Sequence, residues 1–117
     1  MDERRKYIRV SSEIRVVCKA SGETLEHNAY TADISAGGVC LWLAKMIKPG
    51  TMLDMDFYLP ALKEPFVCKG RVVRQSMRPH KGPDDKFYYE TGMVFDGLSL
   101  KNRMALIYYV HEKMKKL

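Results

Sequence analysis

Leu53, Met55, Phe57 and Leu59 alternate strictly with Asp54, Asp56 and Tyr58, and Pro60 stops the run. No other stretch constrains the fold as strongly. A period of two puts all the apolar side chains on one face of an extended strand, whereas a helix would scatter them around its circumference. Similar runs recur at short intervals. Ile14, Val16 and Cys18 alternate with Arg15, Val17 and Lys19, and Val39, Leu41 and Leu43 form another alternating set. Residues 26–34 read as a polar strand, 66–76 as a long β-rich run containing Gly70, and 87–95 as a sixth strand containing Gly92. A glycine inside a strand signals a bulge or a close backbone approach. Turn signals lie between the runs at Ser21-Gly22-Glu23, Ala36-Gly37-Gly38 and Lys48-Pro49-Gly50. Residues 78–86, with Pro79, Gly82 and Pro83 among charges, are expected to form an exposed hairpin loop. This spacing predicts a mostly β fold, either a barrel or a sandwich.

The period changes near the end. Leu100, Met104, Ile107, Tyr108, His111 and Met114 recur at helical spacing, with Ser99 as N-cap. Lys113, Lys115 and Lys116 sit where the helix dipole favours cations. The apolar stripe is expected to pack against the β-structure or across one of its mouths.

A chain of 117 residues with 46% apolar content suits one domain with one core. The expected division is an arginine-rich arm at 1–12 and a folded unit at 13–117. No apolar run approaches the ~20 residues of a membrane span. The charged start, Met1-Asp2-Glu3-Arg4-Arg5-Lys6, lacks the apolar segment of a secretory signal, so a cytoplasmic location is expected. Cys18, Cys40 and Cys68 are far apart and outside any C-x-x-C, which predicts buried free thiols. His27, His80 and His111 are dispersed, so no metal site is expected. No nucleophile elbow and no phosphate-cradling P-loop occur, and catalysis is not expected. The net charge of +6 favours an anionic partner, or is simply a solvated basic surface.

Two motifs carry chemistry. Arg4-Arg5-Lys6-Tyr7-Ile8-Arg9 contains R-R-x-x-x-R, and Asp33-Ile34-Ser35-Ala36-Gly37-Gly38 is a D-x-S-x-x-G. A guanidinium donates in a planar fork to paired acceptor atoms, a match that lysine cannot make, and it also suits phosphate oxygens. A carboxylate such as Asp33 accepts from paired N–H donors. Ser35 offers a small donor and acceptor, and Gly38 lets backbone approach a ligand. Gly37 serves the ligand or the turn. Arg74, at the end of a strand, is a further residue that would flank a ligand. Each motif alone also reads as a charge cluster or a common turn.

Their order and separation resemble the bacterial PilZ domain. Leu53 to Pro60, the run Gly70-Arg71-Val72-Val73-Arg74, the run Gly92-Met93-Val94-Phe95 and an Arg103-bearing helix extend the similarity over nearly the whole chain. The resemblance implies a six-stranded antiparallel β-barrel with a C-terminal helix. It also implies a receptor for cyclic di-GMP that uses Arg5, Arg9, Asp33, Ser35 and Gly38. Arg4 implies two intercalated ligand molecules, where an apolar residue would accompany one. No cofactor is implied. The expected mechanism is ordering of the arginine arm by ligand, which presents a surface to a downstream protein. Two alternatives stay open: a basic barrel that binds RNA or single-stranded DNA, and a degenerate family member engaged only in protein contacts. Few strand aromatics lie outside the apolar phase, which disfavours nucleic acid.

Overall fold

The alternating runs form strands whose apolar phase faces a common interior. A computed structural model describes residues 10–11, 13–60, 62–82 and 84–115. Among these, the strands are β1 (Val10–Ser11), β2 (Arg15–Ala20), β3 (His27–Ile34), β4 (Gly38–Leu43), β5 (Met52–Phe57), β6 (Phe66–Gln75), β7 (His80–Lys81) and β8 (Phe87–Asp96). Helix α1 spans Leu100–Lys115. Six strands close in the order β3, β2, β5, β6, β8, β4, and β4 pairs back to β3. Every pairing is antiparallel. The fold is therefore the barrel with a C-terminal helix that the motifs implied. Among the described residues, closure leaves no long unpaired edge.

The interior is one cluster. Val16, Leu41, Leu53, Met55, Phe57 and Val72 are essentially inaccessible. Phe57 meets Phe66 and Phe95 edge to face, at centroid distances of 5.5 and 6.0 Å. Gly70 faces inward and leaves room for the methyl groups of Met55 and Met93. The Lys48-Pro49-Gly50 turn closes by a bond from Thr51 N to Lys48 O at 3.2 Å. Its glycine takes φ +93°, which favours a residue without a side chain. Gln75 holds the β4–β5 connection. It donates to Lys45 O at 3.0 Å and accepts from Ile47 N at 2.9 Å.

Three expectations change. Val10 and Ser11 pair with Ile34 and Asp33, so the end of the expected arm belongs to the sheet. The 78–86 segment is not all loop, because His80 and Lys81 pair with Tyr88 and Phe87. A two-residue strand has no period to read.

The third change is in α1. Ser99 caps it as expected, with its Oγ accepting from Asn102 N at 3.1 Å. Its barrel-facing residues, however, are Leu106 and Val110, with Ile107 and Tyr109 packed beside them. Leu100, Met104, Tyr108 and Met114 lie exposed. The helix is apolar on more than one side, and of the expected apolar stripe only Ile107 packs against the core.

Candidate functional site

Asp33 faces outward because β3 contains a bulge. Ala29 and Thr31 are fully buried, and strict alternation would turn Asp33 inward after them. The register with β4 instead slips between Thr31 and Asp33. The extra residue, Ala32, reverses the phase, so that Ile34 fills the core and Asp33 lies half-buried on the outer surface. Strand β6 repeats the device, with its register against β8 slipping between Val72 and Arg74. Arg71 and Arg74, three residues apart, would occupy opposite faces of a regular strand. The bulge leaves both exposed while Val72 stays in the core.

The two bulges align a row across the outer face. Ser11 is opposite Asp33, Asp33 opposite Cys40, Cys40 opposite Gly92, and Gly92 opposite Arg74. Asp33 and Arg74 thus stand three strand spacings apart, ~14 Å along the sheet. Between them lie only the small residues Cys40 and Gly92. A Cβ on Gly92 would come within 3.0 Å of Arg74 Cγ and Nε, so the arginine side chain lies across that glycine. This row, with the Asp33 carboxylate at one end, the Arg74 guanidinium at the other and the small, buried Cys40 and Gly92 between them, is termed the trough.

The D-x-S-x-x-G loop closes one end of the trough. Ser35 is buried, and its backbone N–H donates to Gly38 O at 2.9 Å. Its Oγ accepts from Gly37 N at 3.1 Å and Gly38 N at 3.2 Å. The hydroxyl thus braces the turn that carries Asp33. Gly38 has a strand-packing reason as well, because a Cβ there would collide with the Met93 carbonyl oxygen of β8. Gly37 accepts from Phe95 N at 3.3 Å through its carbonyl. Arg103 of α1 donates from Nη1 to Ala36 O at 3.0 Å and ties the loop to the helix.

Arg4, Arg5 and Arg9 lie outside the described residues. Arg9 is covalently joined to Val10, whose register partner is Ile34. Among the described residues, the one that follows the arginine motif, Val10, thus pairs with a residue of the second motif. Sequence reasoning named Arg71, Arg103, Cys40 and Gly92 but gave none of them a place beside Asp33. The pairing of Gly92 with Arg74 needs the bulge, which leaves no mark in the apolar pattern.

Burial pushes the Cys18 thiol up to about 11. Burial and the charge of Asp56 push Cys68 up to about 12. Both are thus protonated and poor nucleophiles at neutral pH. Tyr88 donates its hydroxyl to Asp84, which pushes the phenol up to about 12 and holds Asp84 below the usual carboxylate range. That contact braces the β7–β8 hairpin. Among the described residues, no group of three His, Cys, Asp or Glu converges to hold a metal. No described helix is long and apolar enough to cross a membrane.

Comparison with known proteins agrees with this fold. The PilZ domain family model matches residues 3–112. No curated protein sequence matches the chain. The PilZ domain of Escherichia coli YcgR with c-di-GMP superposes with a TM-score of 0.72 at 16% identity, covering 97% of this chain and 96% of that one. The Bacillus subtilis inhibitor of motility, MotI/DgrA, gives 0.74 at 20% identity, covering 97% and 53%. The MrkH–c-di-GMP complex of K. pneumonia gives 0.72 at 13% identity, covering 97% and 53%. The chain thus spans about half the length of the MotI and MrkH chains. At these identities the superpositions establish the shared fold.

Proposed function

The chain belongs to the PilZ domain family, and on that premise we propose that it is a cyclic di-GMP receptor that signals through a partner protein. The observation that carries this reading is the pair of bulges that turn Asp33 and Arg74 onto one face, over a floor of Cys40 and Gly92. A guanine laid in this trough meets complementary groups. Asp33 accepts from its N1–H and N2–H₂ edge, while guanidiniums donate to O6, N7 and phosphate oxygens. The second motif aims Asp33, with Ser35 fixing the turn and Gly38 permitting close approach of β4 to β8.

Arg5 and Arg9, from the motif that precedes Val10 in the chain, supply the remaining donors. Ligand binding bridges that segment to the trough and creates a composite surface of arm and nucleotide. Such a switch works by the ligand's differential affinity for the bridged state. The domain acts in the cytoplasm, does not catalyse, and carries no cofactor. Arg4 adds a guanidinium for a second, stacked ligand molecule.

Calorimetry of the full chain with cyclic di-GMP, GTP and a single-stranded oligonucleotide tests this. Saturable binding of cyclic di-GMP alone is expected, at two ligands per chain, falling to one in Arg4→Leu. Equal heats for the oligonucleotide, or no response to cyclic di-GMP, would remove the reading. A ratio near one in the wild type would remove the role given to Arg4.

A further inference from the structure

Helix α1 presents a second apolar face that the barrel does not cover. Met104 is 57% exposed and Tyr108 63% exposed, one turn apart, with Leu100 a turn before them at 75%. Across from this stripe, Leu59 and Leu62 of the β5–β6 connection form the other wall of a groove of about 720 Å³. Its ends are cationic: Lys101 lies at one and Lys113 at the other. Glu112, the one carboxylate among the described lining residues, is held by Lys115 at 3.3 Å.

We propose that this groove docks an amphipathic helix of a partner protein, apolar along one side and acidic at both ends. Lys101 and Lys113 are twelve residues apart in sequence, ~18 Å along the helix axis. That is the length of about three helical turns, and it sets the spacing of the two acidic ends. Apolar residues at i, i+4 and i+7 of the guest meet Met104, Tyr108 and Leu62. A second copy of this chain fits poorly. Two α1 helices packed antiparallel about Ile107 would set Lys101 of one copy against Lys113 of the other, and like charges repel. The groove is also tied to the trough. Arg103, next to Met104, donates to the Ala36 carbonyl of the D-x-S-x-x-G loop. From the receptor reading the proposal takes only that the protein acts through a partner.

The test uses the full chain and a fluorescent helical peptide about a dozen residues long. The peptide carries leucines on one side and glutamates at both ends, and binding is read by anisotropy. Saturable binding is expected, weakened at least about tenfold by Tyr108→Glu or Met104→Glu, and equally by lysines in place of the peptide's glutamates. Both substitutions are at exposed positions, and unchanged circular dichroism verifies the fold. No binding up to about 1 mM would overturn the proposal. So would equal binding to the variants, equal binding of the lysine-ended peptide, or a sedimenting dimer that Tyr108→Glu abolishes. Cyclic di-GMP calorimetry on the same samples separates the two ideas. Peptide failure with nucleotide binding intact sinks only the docking face, and the converse sinks only the receptor reading.

Discussion

Gly38→Ala and Gly92→Ala should have opposite consequences, although both glycines line the same trough. A methyl at Gly38 runs into the Met93 carbonyl and also sits 3.5 Å from Val94 Cα. Those obstacles are backbone, so β4 must separate from β8 at the Gly38–Val94 pair. Overpacking of this kind costs about 1–3 kcal/mol, and a weakened ladder bond adds about 1. A loss of about 3 kcal/mol is therefore expected, which lowers the melting temperature by roughly 10–15 °C in a domain of this size. At Gly92 the obstacle is the Arg74 side chain, at 3.0 Å, and that chain can swing aside. Its stability cost should stay under about 1 kcal/mol. Displacing Arg74 should nevertheless weaken cyclic di-GMP binding about tenfold. Urea unfolding measures the first effect, and calorimetry well below the melting transition measures the second. If Gly38→Ala unfolds like the wild type yet fails to bind, Gly38 serves the ligand rather than strand packing, and the reasoning is refuted.

The other predictions are brief. Arg5→Ala or Arg9→Ala should each weaken cyclic di-GMP binding by about 2–4 kcal/mol with little change in folding, and lysine should rescue poorly; near wild-type affinity by calorimetry would dismiss the arginine assignment. Asp33→Ala should reduce the preference for cyclic di-GMP over cyclic di-AMP in competition assays, because the carboxylate repels phosphates and helps only against the guanine edge; an unchanged ratio would make Asp33 structural. Alkaline stability should track two thiols. Cys18 and Cys68 are raised from 9.0 to about 11 and about 12, so above pH 9 the unfolded chain loses protons that the fold retains. Stability then falls as pH rises, by about 1.4 kcal/mol per unit for each thiol. The Cys18→Ala/Cys68→Ala variant should show a flatter decline of urea midpoints between pH 9 and 11, and parallel slopes would contradict the assignment.

Much of the barrel was legible because Leu53, Met55 and Phe57 announce their phase without ambiguity, and turns such as Lys48-Pro49-Gly50 punctuate the runs. What escaped were the places where the phase breaks. Ala32 and Val73 look like ordinary strand residues, yet the bulges there decide which way Asp33 and Arg74 face. A bulge is set by pairing with the neighbouring strand, which a single run of sequence does not record. The helix misled differently. Leu100, Met104 and Tyr108 have helical spacing, but so do Leu106 and Val110, and only tertiary contact selects the latter pair for the core. Asp33 and Gly38 were singled out from their motif alone. The role of Arg103 depends on a contact 67 residues away in sequence.

The most direct test of the central claim is a cyclic di-GMP titration of the isotope-labelled full chain, followed through backbone amide NMR shifts. Saturable shifts should centre on residues 33–40, Gly92 and Arg74, together with the amides of Arg5 and Arg9. Shifts confined to the α1 groove or the β7–β8 hairpin, or no saturable shift at all, would contradict the account.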